Sequence, residues 1–298
     1  MIYHQHCPVC KSGDIKALFS AKDFTVSLEM FVIARCNSCT AMFTQDAPTQ
    51  GDIYRYYASD NYVSHSNTQK GLVNRLYHIV RNRTLISKRR LVEKETGLAG
   101  GEILDIGCGT GAFLNELKKS GWNITGLEPD DTARRNAVLL FDIHPIESNE
   151  IFNLPIKKYQ AITMWHVLEH VHQLQEYICR LGELLSPDGV LFIAVPNYTA
   201  GDALHYGEGW AAYDVPRHLY HFSPQSIKVL LKLHQLEVNK MKPMWYDAFY
   251  VSLLSEKNIY GRTNFIRAAW QGLKSNFAAL KNPAKCSSVI YIIRKKSI

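Results

Sequence analysis

Apolar residues recur at helical spacing through Leu72, Leu76, Ile79 and Val80 and on to Leu85, Ile86 and Leu91, which predicts one or two helices ending near Gly97. The period then changes. Ile103 to Ile106 forms a short apolar strand, glycines follow at 107, 109 and 111, and Phe113, Leu114 and Leu117 share one face of a helix. NITGLEPD reads as a second strand. YQAITMW is another, and its continuation HVLEHV leads into a helix striped by Leu174, Ile178 and Leu181. LLSPDGVLFIAVPN predicts a turn at Ser186 to Gly189 and a strand ending at Pro196 and Asn197, and Ser223 with Pro224 marks a helix start. LEVNKM and SSVIYIIRKK are the last two strands. Between them lie two amphipathic helices, with Phe265, Trp270, Leu273, Phe277 and Leu280 as an apolar stripe expected in a core or at a dimer face, a lipid-facing surface being the alternative. Strands alternating with helices predict an α/β fold.

The first 48 residues have a different pattern. Cys7 and Cys10 form one C-x-x-C, Cys36 and Cys39 another, and the segment between them, IKALFSAKDFTVSLEMFVIARC, has strand-like apolar stretches. Two such knuckles held by a short sheet bring four thiolates around one ion, so one structural zinc is expected on Cys7, Cys10, Cys36 and Cys39. His4 and His6 are fallback ligands, and two redox or merely buried cysteine pairs are the alternative. A zinc with four filled positions contributes folding energy and no chemistry.

Composition narrows the classes. A 298-residue chain with 46% hydrophobic residues can bury a sizeable core, in one large α/β domain or two modest ones. The net charge of +7 arises partly from SKRR at 87–90 and RKK at 294–296, read as solvated faces, so nucleic acid is permitted and not implied. No window of eighteen apolar residues appears, and MIYHQHCPVC lacks the charged and apolar regions of a signal peptide, so a cytoplasmic protein without a membrane span is expected. Seven cysteines, four of them paired, favour metal over disulfides in such a chain.

Glycines between a strand and a helix let backbone approach a ligand closely. NAD and S-adenosylmethionine sites both use such a turn, and Glu128, at the tip of the second strand, suits the ribose of either. Asp105 separates them. A carboxylate two residues before the first glycine repels a pyrophosphate and suits a ligand carrying an ammonium and a sulfonium.

EILDIGCGTGAFL, GLEPD, YQAITMWHVLEHV and LLSPDGVLFIAVPN, in that order, resemble the motif series of class I S-adenosylmethionine-dependent methyltransferases, nearest the ubiquinone-biosynthesis O-methyltransferase group, over roughly residues 70 to 298. The resemblance implies a Rossmann-like sheet of seven strands with helices on both faces, its last pair antiparallel, beside the small zinc-ribbon-like β module at 1–48. A helical extension is expected at 49–100 and the methyltransferase core at 101–298, with an acceptor-loop insertion at 197–222 and a helical insertion at 245–282. It also implies cofactor contacts at Asp105, Gly107, Cys108, Gly109, Gly111, Glu128, Pro129, Trp165 and His166, with Glu150 and Ile151 at the adenine.

H-x-x-E-H at His166, Glu169 and His170 has the spacing of one class of zinc peptidases, but it starts at a strand's carboxyl end and has no third ligand with its own context, so a peptidase is not expected. His166 reads as pocket wall or general base, Glu169 and His170 as helix N-terminal polar groups that fix the loop. The loop NYTAGDALHYGEGWAAYDVPRHLYHFS is long, and its aromatic and ionic content argues against disorder. PRHLYHFS also resembles a segment that closes over the acceptor in the ubiquinone-type group. Trp210, Tyr213, Arg217, His218 and His221 are the expected acceptor contacts, with His218 second to His166 as proton acceptor. The expected activity is methyl transfer to an oxygen or carbon of a small-molecule acceptor, with sugar and lipid-linked acceptors and a homodimer left open. An RNA methyltransferase using the ribbon and a non-catalytic cofactor-binding module are the alternatives. Residues 1–50 carry only Lys11, Lys16, Lys22 and Arg35 against four acids, which weighs against RNA.

Overall fold

A computed structural model describes residues 1–57 and 72–296, apart from the side chains of 72–81. Most of the tyrosine-rich stretch and the apolar positions Leu72, Leu76, Ile79 and Val80 therefore lie outside the described side chains. The first long element is a single helix, α1 (Leu72–Thr96), not two, and it stops before Gly97, whose φ of +73° an L side chain resists.

Among the described residues the main sheet has six strands: β4 (Gly101–Ile106), β5 (Trp122–Leu127), β6 (Tyr159–Trp165), β7 (Leu185–Pro196), β9 (Leu236–Pro243) and β10 (Ser288–Lys295), in the order β5-β4-β6-β7-β10-β9. The first four are parallel, and β10 runs antiparallel to both β7 and β9. Burial on both faces explains why VLFIAV in β7 is an unbroken apolar run. The expected seventh strand is reduced to one bridge between Leu127 and Ile146. Ile146 donates to Gly126 O and accepts from Glu128 N. The expected turn at Ser186 to Gly189 survives as an excursion inside β7, since Leu185 pairs with Tyr159 and Val190 with Ala161.

Helices α2 (Ala112–Lys118), α3 (Asp131–Phe141), α4 (Leu174–Leu184) and α6 (Pro224–Leu233) pack on this sheet or link its strands. The stripe of α4 is buried at Leu174, Ile178 and Leu181, as its periodicity predicts, with Tyr177 and Leu184 added. Ser223 caps α6 by accepting from Ser226 N, with Pro224 at the first helical position.

A second sheet, β1 (Ile15–Lys22), β2 (Met30–Cys36), β3 (Met42–Thr44) and β8 (Tyr220–His221), is built from distant parts of the chain. Its first three strands are the cysteine module. The fourth belongs to PRHLYHFS, pairing Met42 with His221 and Phe43 with Tyr220. Cys7, Cys36, Cys39 and Phe43 share one apolar core with Leu104, Ile162 and Leu181 of the main domain, so the module is welded to the domain through the long loop. Helices α7 (Asp247–Tyr260) and α8 (Phe265–Lys281) pack together and against α5 (Gly201–Tyr206), which lies within that loop. Among the described residues no helix is long and apolar enough to cross a membrane.

Candidate active site

The glycine turn joins β4 to α2 with φ of +70°, +55° and +76° at Gly107, Gly109 and Gly111. A methyl on Gly107 would lie 2.4 Å from Val167 Cγ2, so only glycine lets this turn meet the segment after β6. Around Gly109 the corresponding space is open, which leaves its backbone accessible to a ligand. The amides of Gly107 and Cys108 both donate to Leu127 O, tying the turn to the tip of β5. Cys108 itself packs into the core, and burial pushes its thiol up.

Two acids face the turn. Asp105 and Thr163 are register partners on parallel strands, so their side chains share a face, and Thr163 Oγ1 donates to Asp105 Oδ1 at 2.6 Å. Asp105 is almost wholly buried, and desolvation pushes its carboxyl up to about 7 against that hydrogen bond and the pull of Lys88. Glu128 closes the other side, accepting from Gly109 N at 2.8 Å and Asp130 N at 3.0 Å. Pro129 follows it, and its carbonyl accepts from Arg134.

The far wall contains residues that local sequence features conceal. Lys88 lies 4.4 Å from the Trp165 ring centroid with Asp105 and Asp247 as its charged neighbours, and burial holds its ammonium down. SKRR reads as a charged surface, yet Lys88 lies three residues from Leu85 and four from Val92, on the apolar side of α1. Arg89 has the same spacing, four residues from Leu85 and three from Val92, yet pairs with Glu93 and Glu116, so the tertiary structure is what separates the two. Trp165 stands edge-on to Phe113, and its indole N–H is buried without a hydrogen-bond partner. His166 sits in the left-handed region at φ +59°, a conformation that non-glycine residues keep where the surroundings impose it. Its Nε2 meets Asp247 Oδ2 at 2.7 Å and its Nδ1 lies 3.4 Å from Glu169 Oε1. Desolvation opposes charge on the ring, but the two carboxylates win and raise it to about 10. Asp247 opens α7, eighty-one residues away, and nothing local announces it.

H-x-x-E-H does not form one face of an α-helix. Leu168–His170 is a single 3-10 turn, α4 begins only at Leu174, and His166 lies outside the turn. Glu169 and His170 therefore do not cap α4. They bind the long loop: Leu219 N donates to Glu169 O, and His170 Nδ1 lies 3.0 Å from Arg217 O and from the Tyr57 hydroxyl. This pairing sets His218 beside His170, their ring centroids 4.6 Å apart. Desolvation, reinforced by His218, pushes the His170 ring down to about 4.

The other expected acceptor contacts are held within the fold. Trp210 is buried and donates its indole N–H to Asp202, which also accepts from Ser275 and Ser287. Tyr213 packs against Phe19, Trp210 and His221. Arg217 has no exposed side-chain surface and bonds Asp23, Asp214 and Tyr56 O. His221 lies against Thr44 Oγ1, and burial lowers its ring well below the ordinary value. Of the five, His218 brings its side chain to the cluster around Glu169, and Arg217 its backbone carbonyl. Ile151 is core and Glu150 accepts from Asn153, on the 3-10 segment Ser148–Asn153, so neither side chain joins Asp105 and Glu128.

At the cysteine module, Cys7 and Cys39 sulfurs lie 3.5 Å apart, as do those of Cys10 and Cys36, and all four fall within 4.8 Å of one another. A tetrahedron of sulfurs around zinc has edges of about 3.8 Å. Contact with Cys39 lowers the Cys7 thiol while contact with Cys7 raises that of Cys39, the behaviour of two sulfurs sharing one proton where a dication would displace it.

A protein family described as a methyltransferase domain matches residues 77–240, more than half of the chain. A ubiquinone biosynthesis O-methyltransferase of Actinobacillus pleuropneumoniae is 35% identical over 118 residues, which cover 36% of this chain and 50% of that one. One of the same name from Rickettsia canadensis is 27% identical over 168 residues, covering 49% and 66%. The chain thus spans half to about two thirds of the length of these curated relatives. Among solved structures, a putative sarcosine dimethylglycine methyltransferase from Galdieria sulphuraria is similar with a TM-score of 0.51 at 16% identity, over 78% of this chain and 93% of that one. Magnesium protoporphyrin IX methyltransferase from Synechocystis, solved with S-adenosylmethionine, gives 0.50 at 16% identity over 85% and 100%. These two likenesses show the fold.

Proposed function

This chain belongs to the methyltransferase-domain family, and from that premise we propose that it is an S-adenosylmethionine-dependent methyltransferase acting on an oxygen of a small-molecule acceptor. The observation that carries the reading is the buried Asp105 facing the glycine turn, which disfavours a pyrophosphate and suits a cation. The remaining groups fit the rest of that cofactor. Glu128 suits the ribose hydroxyls, Asp105 the ammonium, and the Lys88 ammonium with the unpartnered Trp165 N–H suits a carboxylate. When bound, the cofactor supplies a methyl group on a sulfonium, already activated for in-line displacement. The chain's part is to hold acceptor and methyl in near-attack geometry and to take a proton from the acceptor.

His166 is not the resting proton acceptor, because Asp247 and Glu169 keep it protonated near neutrality. Proton removal falls to the end of the site formed by Glu169, His170 and His218. The names of the curated relatives support oxygen as the methylated atom. We further propose that Cys7, Cys10, Cys36 and Cys39 hold one structural zinc, supported by their sulfur separations. Metal analysis of protein purified without chelator should find it, and its absence would remove this assignment.

Calorimetric titration with S-adenosylmethionine and, separately, NAD tests the main reading. Binding of the first alone, weakened at least tenfold by Asp105→Asn, is expected; binding of NAD instead would overturn it. The pH dependence sharpens the test. With the carboxyl of Asp105 raised to about 7, affinity for the cation should rise as pH increases from 6 to 8, and that rise should vanish in Asp105→Asn. Stability of the ligand-free protein should move the other way. A carboxyl whose folded value is raised stabilises the fold below its ordinary value near 4 and loses that contribution as pH climbs through 7.

A further inference from the structure

Helix α8 carries two rows of residues on opposite sides. Ala268, Gly272, Ser275 and Ala279 are buried toward α5 and α7, where Ser275 donates to Asp202 and a methyl on Gly272 would lie 2.6 Å from the Phe249 ring. Ile266, Trp270, Leu273, Phe277 and Leu280 form the other row and are 50% to 85% exposed, with Phe265 extending it at the N-terminal end. The spacing of those five alternates four, three, four, three. That is the seven-residue period with which one helix meets another along a narrow seam, whereas a helix facing a globular core shows a broader stripe. The two flanks of the outer row differ. Arg267, Lys274 and Lys281 recur at intervals of seven along one, while Ala269 and Asn276 occupy the other. Lys274 lies 5.5 Å from the Trp270 ring centroid, and Arg267 reaches Glu256 in α7. From 257 to 285 the charged residues are Lys257, Arg262, Arg267, Lys274, Lys281 and Lys285, with no acid among them.

We propose that the outer row of α8 is a docking surface for one acidic amphipathic helix of a partner protein. The partner's apolar residues interlock with Ile266, Trp270, Leu273, Phe277 and Leu280, and its Asp and Glu side chains meet the cations along the flank. Charge selects this occupant over a second copy of the chain. A second α8 brings the same cations and no acid, and in antiparallel pairing the two cationic rows face each other. Spacing selects it over a bilayer. An anionic membrane would match the charge, but a fluid surface imposes neither a seven-residue register nor cations on one flank alone. Because α8 is already held by α5 and α7, only the partner bears the cost of becoming helical. The proposal is independent of the methyltransferase reading.

The test uses the full chain and a fluorescent synthetic helix of three heptads with Leu at the seam positions and Glu on both flanks, beside the same helix with Lys on both flanks. Anisotropy titration should give one Glu helix bound per chain with a micromolar dissociation constant, and the Lys helix should bind more than tenfold more weakly. Trp270→Ser and Phe277→Ser should each weaken the Glu helix more than tenfold. Lys274→Glu combined with Lys281→Glu should reverse the preference between the two helices. All these positions are exposed, so each variant should keep the thermal midpoint of the parent, which reports that it is folded. No binding of the Glu helix at submillimolar concentration overturns the proposal, as does binding that the seam variants leave unchanged. Flotation of the chain with phosphatidylglycerol vesicles, abolished by Phe277→Ser, would give the face to lipid and overturn it. A dimer in sedimentation that the same variant dissociates would give the face to a second copy, with the same consequence.

Discussion

The long loop at 197–222 and helix α8 carry similar side chains and face opposite ways. Both are rich in aromatic residues. In the loop, Trp210, Tyr213, Tyr220 and Phe222 are buried, and even Arg217 has no surface. On α8, Phe265 is 72% exposed, Trp270 58% and Phe277 70%, while Ala268, Gly272, Ser275 and Ala279 face inward. A stripe at helical spacing marks one side of a helix without saying which side the protein covers. Here the small residues make the contact because α8 packs closely on α7, where a side chain on Gly272 would collide with Phe249. A polar and aromatic loop, in turn, reads as a binding surface unless each of its polar groups finds a partner inside, and these do.

The contrast can be broken at its strongest point first. Arg217→Ala leaves buried Asp23 and half-buried Asp214 without their cation, and chemical denaturation should show a loss of about 3–5 kcal/mol, more than a contact residue at an acceptor surface would give. The carboxyl of Asp23 is held down to about 2 with Arg217 beside it, so stability from this pair should be present above pH 4 and fade as pH falls toward 2. Trp210→Phe retains most of the packing and removes one donor to buried Asp202. A loss of about 1–3 kcal/mol is expected, and a neutral result would mean that the loop is less tightly built than its hydrogen bonds indicate. Phe277→Ser on α8 should change stability by no more than about 0.5 kcal/mol, because the side chain projects outward; a loss of several kcal/mol would mean that this face is covered in solution.

Much of the cofactor end was legible for a physical reason. A strand, a glycine turn and acids at strand tips are local arrangements, so Asp105, Glu128 and the three glycines carry their spacing with them into the fold. The two C-x-x-C units are equally local, each a tight knuckle closed by its own backbone. The acceptor end was harder to read. Lys88 shares its helical spacing with Arg89, and Asp247 and His218 reach their partners across eighty-one and about fifty residues of chain. Of the seventh strand that the family resemblance implied, only the bridge between Leu127 and Ile146 is present among the described residues.

The order of strands and helices, the glycine turn with its acids and the paired cysteine knuckles were determined by the sequence alone, since each rests on contacts within a few residues and on periodicities that short segments express by themselves. Which aromatic stripe is buried, which histidine keeps a proton and which ones surround Glu169 were decided only by the tertiary structure. Burial and charge at a side chain depend on what distant strands and loops bring against it, and here β8 of the long loop, the N-terminus of α7 and the cysteine module meet at one end of the sheet.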